Sequence, residues 1–189
     1  MSNLVFFLEE PSAREMLNGL LPRMLSNDIF IRCIVFEGKQ DMEKQLGRKL
    51  RGWQAPDTGF VVLRDKDSGD CIQIKERLTQ ICRDSAKPDT LIRIACHELE
   101  SWYLGDLQAV ENGLEINGLS AKQNKRKFRE PDKLANPARE LRYLTDNLYQ
   151  KVAGSRSIGP HLSLKGNRSH SFNVFLAGIR KIPVLLQFL

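Results

Sequence analysis

Four apolar runs, each followed by a charged or amphipathic segment, occupy the first hundred residues, and this alternation constrains the chain more than any other feature. Leu4-Val-Phe-Phe-Leu8 is followed by Pro11 and by Ser12-Ala-Arg-Glu15, the spacing of a capping box, which predicts a strand, a turn and a helix running towards Leu25. Ile29 to Phe36 alternates Ile31, Cys33 and Val35 against Arg32 and predicts a second strand; Glu37-Gly38 breaks it before a charged helix from about Gln40 to Leu50. Phe60 to Arg64, the polar loop Asp65 to Asp70 and a helix from about Ile72 to Ser85 form a third unit. A fourth strand, Thr90 to Cys96, leads into Glu98-Leu-Glu-Ser-Trp-Tyr-Leu104. Right-handed helical crossovers are the usual way to join parallel neighbours, so this order predicts an α/β fold with a mainly parallel four-stranded sheet and helices on both faces.

Beyond Gly105 the pattern changes. Asp106 is placed to cap a short helix to Glu111, and Asn117 to Asp132 reads as a polar, Lys-rich connection. Asn136-Pro137 is a cap and first-turn pair for a helix from about Ala138 to Val152, with Leu141, Leu144 and Leu148 on one face. Gly154 to His170 reads as a long loop and Phe172 to Ile179 as a closing helix. The expected organisation is an α/β core over residues 1–110 and a basic helical extension over 111–189 packed on it, one domain overall for a chain of 189 residues. Charge divides at the same place. Residues 1–110 hold 15 Lys and Arg against 17 Asp and Glu, and the remainder hold 14 against 6, so the net charge of +6 hides an acidic half and a basic half. The first suits a cation and the second attracts phosphates, unless the basic half is simply a solvated face.

Several chemistries are excluded. Cys33, Cys71, Cys82 and Cys96 show no CxxC spacing and read as reduced structural thiols. His97-Glu98 opens like a zinc-protease helix, but Ser101 stands where the second His belongs. No phosphate-binding Gly-x-x-x-x-Gly-Lys loop or dinucleotide fingerprint is present, so any ATP requirement would come from a partner. No apolar run approaches bilayer length and Met1 to Glu10 lacks the layout of a secretory signal, so a cytoplasmic location is expected.

In a parallel α/β sheet ligands bind outside the carboxyl ends of the strands. Here those ends are acidic: Glu9 and Glu10 follow the first strand, Glu37 the second, Asp65 and Asp67 the third, and Glu98 and Glu100 the fourth. Mg²⁺ prefers oxygen ligands and keeps several waters, so two or three carboxylates and a substrate phosphate suffice. In an extended loop the two carboxylates of Asp65-Lys66-Asp67 would point the same way.

A Glu after the first strand and an Asp-x-Asp after a later one resemble the TOPRIM signature of topoisomerases, primases and overcoming-lysogenization-defect nucleases. The stretches Leu8-Glu-Glu-Pro-Ser12, Phe36-Glu-Gly-Lys-Gln-Asp41, Leu63-Arg-Asp-Lys-Asp-Ser-Gly-Asp70 and Glu98-Leu-Glu-Ser-Trp-Tyr-Leu-Gly-Asp106 resemble, over nearly the whole chain, domain-of-unknown-function family 4276. That family is similar to the TOPRIM nuclease domains that accompany ABC-class ATPases in bacterial anti-phage defence. The resemblance implies a TOPRIM-like sheet and a Mg²⁺- or Mn²⁺-dependent nuclease acting on DNA or RNA. In it Glu9 acts as general acid or base or completes the metal shell, and Asp65 and Asp67 hold the metal. The glycine that usually follows the TOPRIM glutamate is Glu10 here, which either points away or helps to recruit metal. Glu37-Gly38-Lys39-Gln40-Asp41 matches the literal Glu-Gly-x-x-Asp pattern more closely. Glu9 is preferred because a complete helix-strand-helix passage separates it from the Asp pair, as TOPRIM order requires, and Glu37 is the second candidate.

The basic complement expected around a phosphodiester is Lys39, Arg64 and Lys66 near the acidic edge, with Arg156, Lys165 and Arg168 approaching from the C-terminal half. Two other functions fit the same residues: an adaptor that regulates an ABC-class ATPase without catalysis, and a plain nucleic-acid-binding module that uses the basic half.

Overall fold

The four apolar runs form β1 (Ser2–Leu8), β2 (Ile29–Val35), β3 (Thr58–Asp65) and β4 (Leu91–Ala95) in a computed structural model, which describes residues 2–183. They make one parallel sheet in the order β2-β1-β3-β4. The register sets the functional edge. Leu8 lies opposite both Val35 and Leu63, and Asp65 lies opposite Ala95, so β3 runs two residues past the end of β1. Glu9 and Glu10 therefore emerge level with Arg64 and Asp65.

Alternate side chains of β1 and β3 serve two cores, which is why both strands read as nearly continuous apolar runs. Val5, Phe7, Phe60 and Val62 pack under α2 (Lys39–Arg51) and α3 (Cys71–Asp84), which contribute Met42, Leu46, Leu50, Leu78 and Cys82. Leu4, Phe6, Leu8, Val61 and Leu63 face the other way, against α1 (Pro11–Leu20) and the C-terminal helices. Those are α4 (Glu100–Leu104), α5 (Leu107–Leu114), α6 (Arg126–Arg129), α7 (Pro137–Leu144), α8 (Lys151–Ile158) and α9 (His170–Ile179). Trp102 and Tyr103, fully buried, join α4 to this layer: Trp102 stacks obliquely on Phe172 and Phe175 of α9, and Tyr103 meets Tyr149 edge-on. Among the described residues no helix is long and apolar enough to cross a membrane.

Among the local expectations that fail, three have their physical cause in helix caps and turns. The expected capping box at Ser12 does not form. Pro11, with no N–H to satisfy and φ already helical, takes the first helical position; Glu10 becomes the cap residue, and the Ser12 hydroxyl donates to Glu10 Oε2 at 3.3 Å. The helix expected over 138–152 is two. Thr145 donates its hydroxyl to the Leu141 carbonyl at 2.9 Å and accepts from Tyr149 N–H at 3.2 Å, and Asp146 and Asn147 adopt φ of 48° and 65°, which no helix continues through. Leu148 consequently leaves the shared face and is 58% exposed. The long loop expected from Gly154 is helical through Ile158 and then turns at Gly159–His161. Gly154 carries the helix past the Tyr149 ring, which would stand 2.4 Å from an added Cβ.

Candidate metal centre

At the carboxyl edge of the sheet, β1 ends in the centre and delivers Glu9, a buried carboxylate. Its Oε2 accepts from the Asp65 backbone N–H at 3.2 Å and lies 3.8 Å from Arg64 Nε. The Glu9 carbonyl accepts from Gly38 N–H at 3.2 Å, and Gly38 needs its glycine because φ there is 95°. That turn starts α2 at Lys39, whose Nζ donates to Asp67 Oδ2 at 2.7 Å. Residues from the ends of β1, β2 and β3, up to 58 positions apart in the chain, thus meet on one rim.

The Asp-x-Asp loop is not extended. Asp67 has φ of 51°, so the backbone curls and the two carboxylates do not point the same way as expected. Asp67 faces Lys39 and α2. Asp65 lies among Glu100, Glu9, Lys151 and Glu10, on the side of the C-terminal helices. The curl is held from β4: Lys66 N–H donates to Ala95 carbonyl at 2.9 Å and Asp67 N–H to His97 carbonyl at 2.8 Å. His97 Nδ1 lies 2.8 Å from the Asp67 carbonyl, which requires the Nδ1–H tautomer, and Lys66 Nζ lies 3.5 Å from the same nitrogen.

The carboxylates oppose one another electrostatically. Burial, reinforced by Asp67, pushes the Glu9 carboxyl above the ordinary range. Burial together with Glu100 and Glu9 pushes Asp65 well above it. Glu100 is raised chiefly by its own burial; Tyr149 donates to its Oε1 at 2.8 Å, while Oε2 is buried with no hydrogen-bond partner. Lys39 is held above its usual value by its hydrogen bond to Asp67.

Of the other expected residues, Glu10 turns toward α8 and forms an ion pair with Lys151. Glu37 is exposed at the neighbouring strand end, its backbone N–H donating to Asp41 Oδ2 at 3.1 Å. Arg64 is buried on the α2 side, paired with Glu43 and 3.8 Å from Glu9, so it does not face solvent. Arg156 is taken by Glu15 at 2.7 Å, further along α1. Lys165 is exposed, and Arg168 donates to Asn124 Oδ1 at 2.6 Å; neither is brought to the rim by these contacts. Lys151 was not singled out from the sequence. It starts a helix with no distinguishing motif and reaches Glu10 only through tertiary folding, across 141 positions. Glu98, left without a role from sequence, accepts from Ala138 N–H at 2.9 Å and anchors the start of α7.

Among the described residues no three His, Cys, Asp or Glu side chains stand close enough, as placed, to hold an ion. The donor chemistry nevertheless fits a hard divalent cation. Every acidic group on the rim offers only oxygen, Asp65 and Glu9 repel one another, and a Glu100 oxygen is left orphaned beside them. Such a cluster is short of positive charge, and Lys39 and Lys151 supply part of it.

The model of a family described as Domain of unknown function (DUF4276) matches residues 8–180. Among solved structures, the C-terminal region of the Burkholderia pseudomallei OLD protein superposes with a TM-score of 0.56 at 16% identity, covering 94% of this chain and 96% of that one. The C-terminal region of the Xanthomonas campestris pv. campestris OLD protein gives 0.54 at 13% identity, covering 100% and 99%. At such identities the likeness establishes a shared fold and leaves activity to the site. Comparison with curated proteins gives no match.

Proposed function

The chain belongs to the DUF4276 family, and from that premise we propose that it is a Mg²⁺- or Mn²⁺-dependent nuclease of TOPRIM type. The observation that carries this reading is the meeting of Glu9 with the Asp65 backbone, 3.2 Å apart, on the rim that also holds Asp67 and Lys39. Asp65 and Asp67 are the residues that would hold the cation, with Glu9 and Glu10 beside them. A bound divalent cation supplies Lewis-acid polarisation of a phosphodiester.

The protein's own groups do the rest. Glu9, with its carboxyl raised by burial, takes and gives a proton closer to neutral pH than a solvated glutamate, as a general acid or base must. Arg64, fixed by Glu43, keeps Glu9 oriented. Lys39 and Lys66 bring positive charge to the place where phosphoryl transfer builds negative charge. The family resemblance adds an ABC-class ATPase partner and a role in anti-phage defence to this proposal.

Incubation of the purified protein with DNA and RNA in Mn²⁺ tests it. Cleavage is expected, and Asp65→Asn, Asp67→Asn and Glu9→Gln should each lower its rate by about 10²-fold or more. Full-rate cleavage by Asp65→Asn would remove this centre from the reaction. No cleavage by the wild type alone, together with control of a co-purified ATPase that survives Asp67→Asn, would favour the adaptor.

A further inference from the structure

The chain's net positive charge is concentrated in one short stretch. Residues 122–143 hold eight Lys and Arg against three Asp and Glu, which nearly accounts for the net charge of +6. Lys127 is neutralised by Glu140 at 2.5 Å and Lys133 by Glu130 at 2.6 Å. Lys125, Arg126, Arg139 and Arg142 are exposed and, among the described residues, have no carboxylate partner.

This surface is grooved and carries an aromatic ring. Two adjoining hollows share Leu134 as a wall; one is lined by Arg126 and Lys133, the other by Arg139 and Tyr143. Tyr143 is 80% exposed, while Leu141 and the partly buried Leu144 anchor that part of α7 in the core. Glu98, in the turn that follows β4, holds the first turn of α7 through Ala138 N–H, which ties α7 to the carboxyl edge of the sheet. Arg168, tied to Asn124, adds another cation beside α6.

We propose that the outer face of α6 and α7 is a binding track for single-stranded nucleic acid, with Tyr143 stacking on a base and Arg126, Arg139 and Arg142 following the phosphates. Cations spaced along a groove around an exposed ring suit a single strand, whose bases are free to stack on aromatic side chains. A duplex presents phosphates but keeps its base faces stacked internally, so it would use the cations and leave Tyr143 idle. The track deepens the nuclease reading by naming its substrate class, and rests on that reading only for the delivery of strand to the rim.

The test is fluorescence anisotropy of a labelled oligothymidylate with the full-length protein in EDTA, where cleavage plays no part. The single strand should bind more tightly than a duplex of equal length. Tyr143→Ala should weaken it about fivefold or more, and Tyr143→Phe should retain affinity. Arg139→Ala should flatten the dependence of log K on log salt by about 0.7, while Arg48→Ala on α2 leaves it unchanged. Tighter duplex binding, equal affinity for wild type and Tyr143→Ala, or no binding would each overturn the track. Such a failure is separate from that of the catalytic reading, which stands or falls on cleavage in Mn²⁺.

Discussion

Asp65 shows how a single residue can oppose the fold that holds it. Its folded-state pKa is raised, so the fold favours the protonated form: the stability it contributes is full below the ordinary Asp range and is lost as pH rises through the raised value. In EDTA at pH 8, Asp65→Asn should therefore melt at a higher temperature than the wild type, and the difference should shrink towards the acid end of the range. Added Mn²⁺ should raise the melting temperature of the wild type and leave Asp65→Asn nearly unmoved, because an ion that binds the native state stabilises it by mass action. The two glutamates are separated by a paired substitution. Glu9→Ala should abolish metal-dependent cleavage and Glu37→Ala spare most of it, since Glu9 touches the Asp65 backbone and Glu37 is exposed one strand away. Glu9 and the Asp pair were legible as carboxylates at strand ends. Lys151 was not, because a lysine at the start of an ordinary helix carries no local mark of the acid it will meet.

At the scale of elements, caps and turns decide where the rim residues go. Helix α3 begins at Asp70, whose Oδ1 accepts from Ile72 N–H and Gln73 N–H at 2.9 Å each. Asp70→Ala should cost about 1 kcal/mol, read as a lower denaturation midpoint with unchanged slope. The same change should slacken the loop that ends in this cap, residues 65–70, and weaken metal binding beyond what the stability loss explains. The strands are legible in sequence because a buried parallel strand is marked by its own apolar residues. The break inside 138–152 is not legible in sequence because it lies in Thr145 bonding back to the backbone and in left-handed Asp146 and Asn147, features that a pattern of leucines does not record.

Across the whole molecule, the C-terminal helices are part of the core that supports the rim. Trp102, two residues after Glu100, has its ring against Phe172 and Phe175 and its Nε1–H donating to Ser171 Oγ at 2.9 Å. Trp102→Ala should cost about 3–5 kcal/mol, and unfolding by heat should remain one transition in which the sheet and α9 are lost together, monitored by circular dichroism and by fluorescence. What the amino-acid order determined unaided was the local alternation: four apolar runs, the helices between them, the parallel sheet these require, and acids at the strand ends. Tertiary structure alone decided which acids share a rim, that Asp65 and Asp67 part company at a left-handed turn, and which lysines and which orphaned Glu100 oxygen stand beside them. Periodicity is written in near neighbours, whereas the electrostatics of a site depends on distances between atoms that only the folded chain brings close.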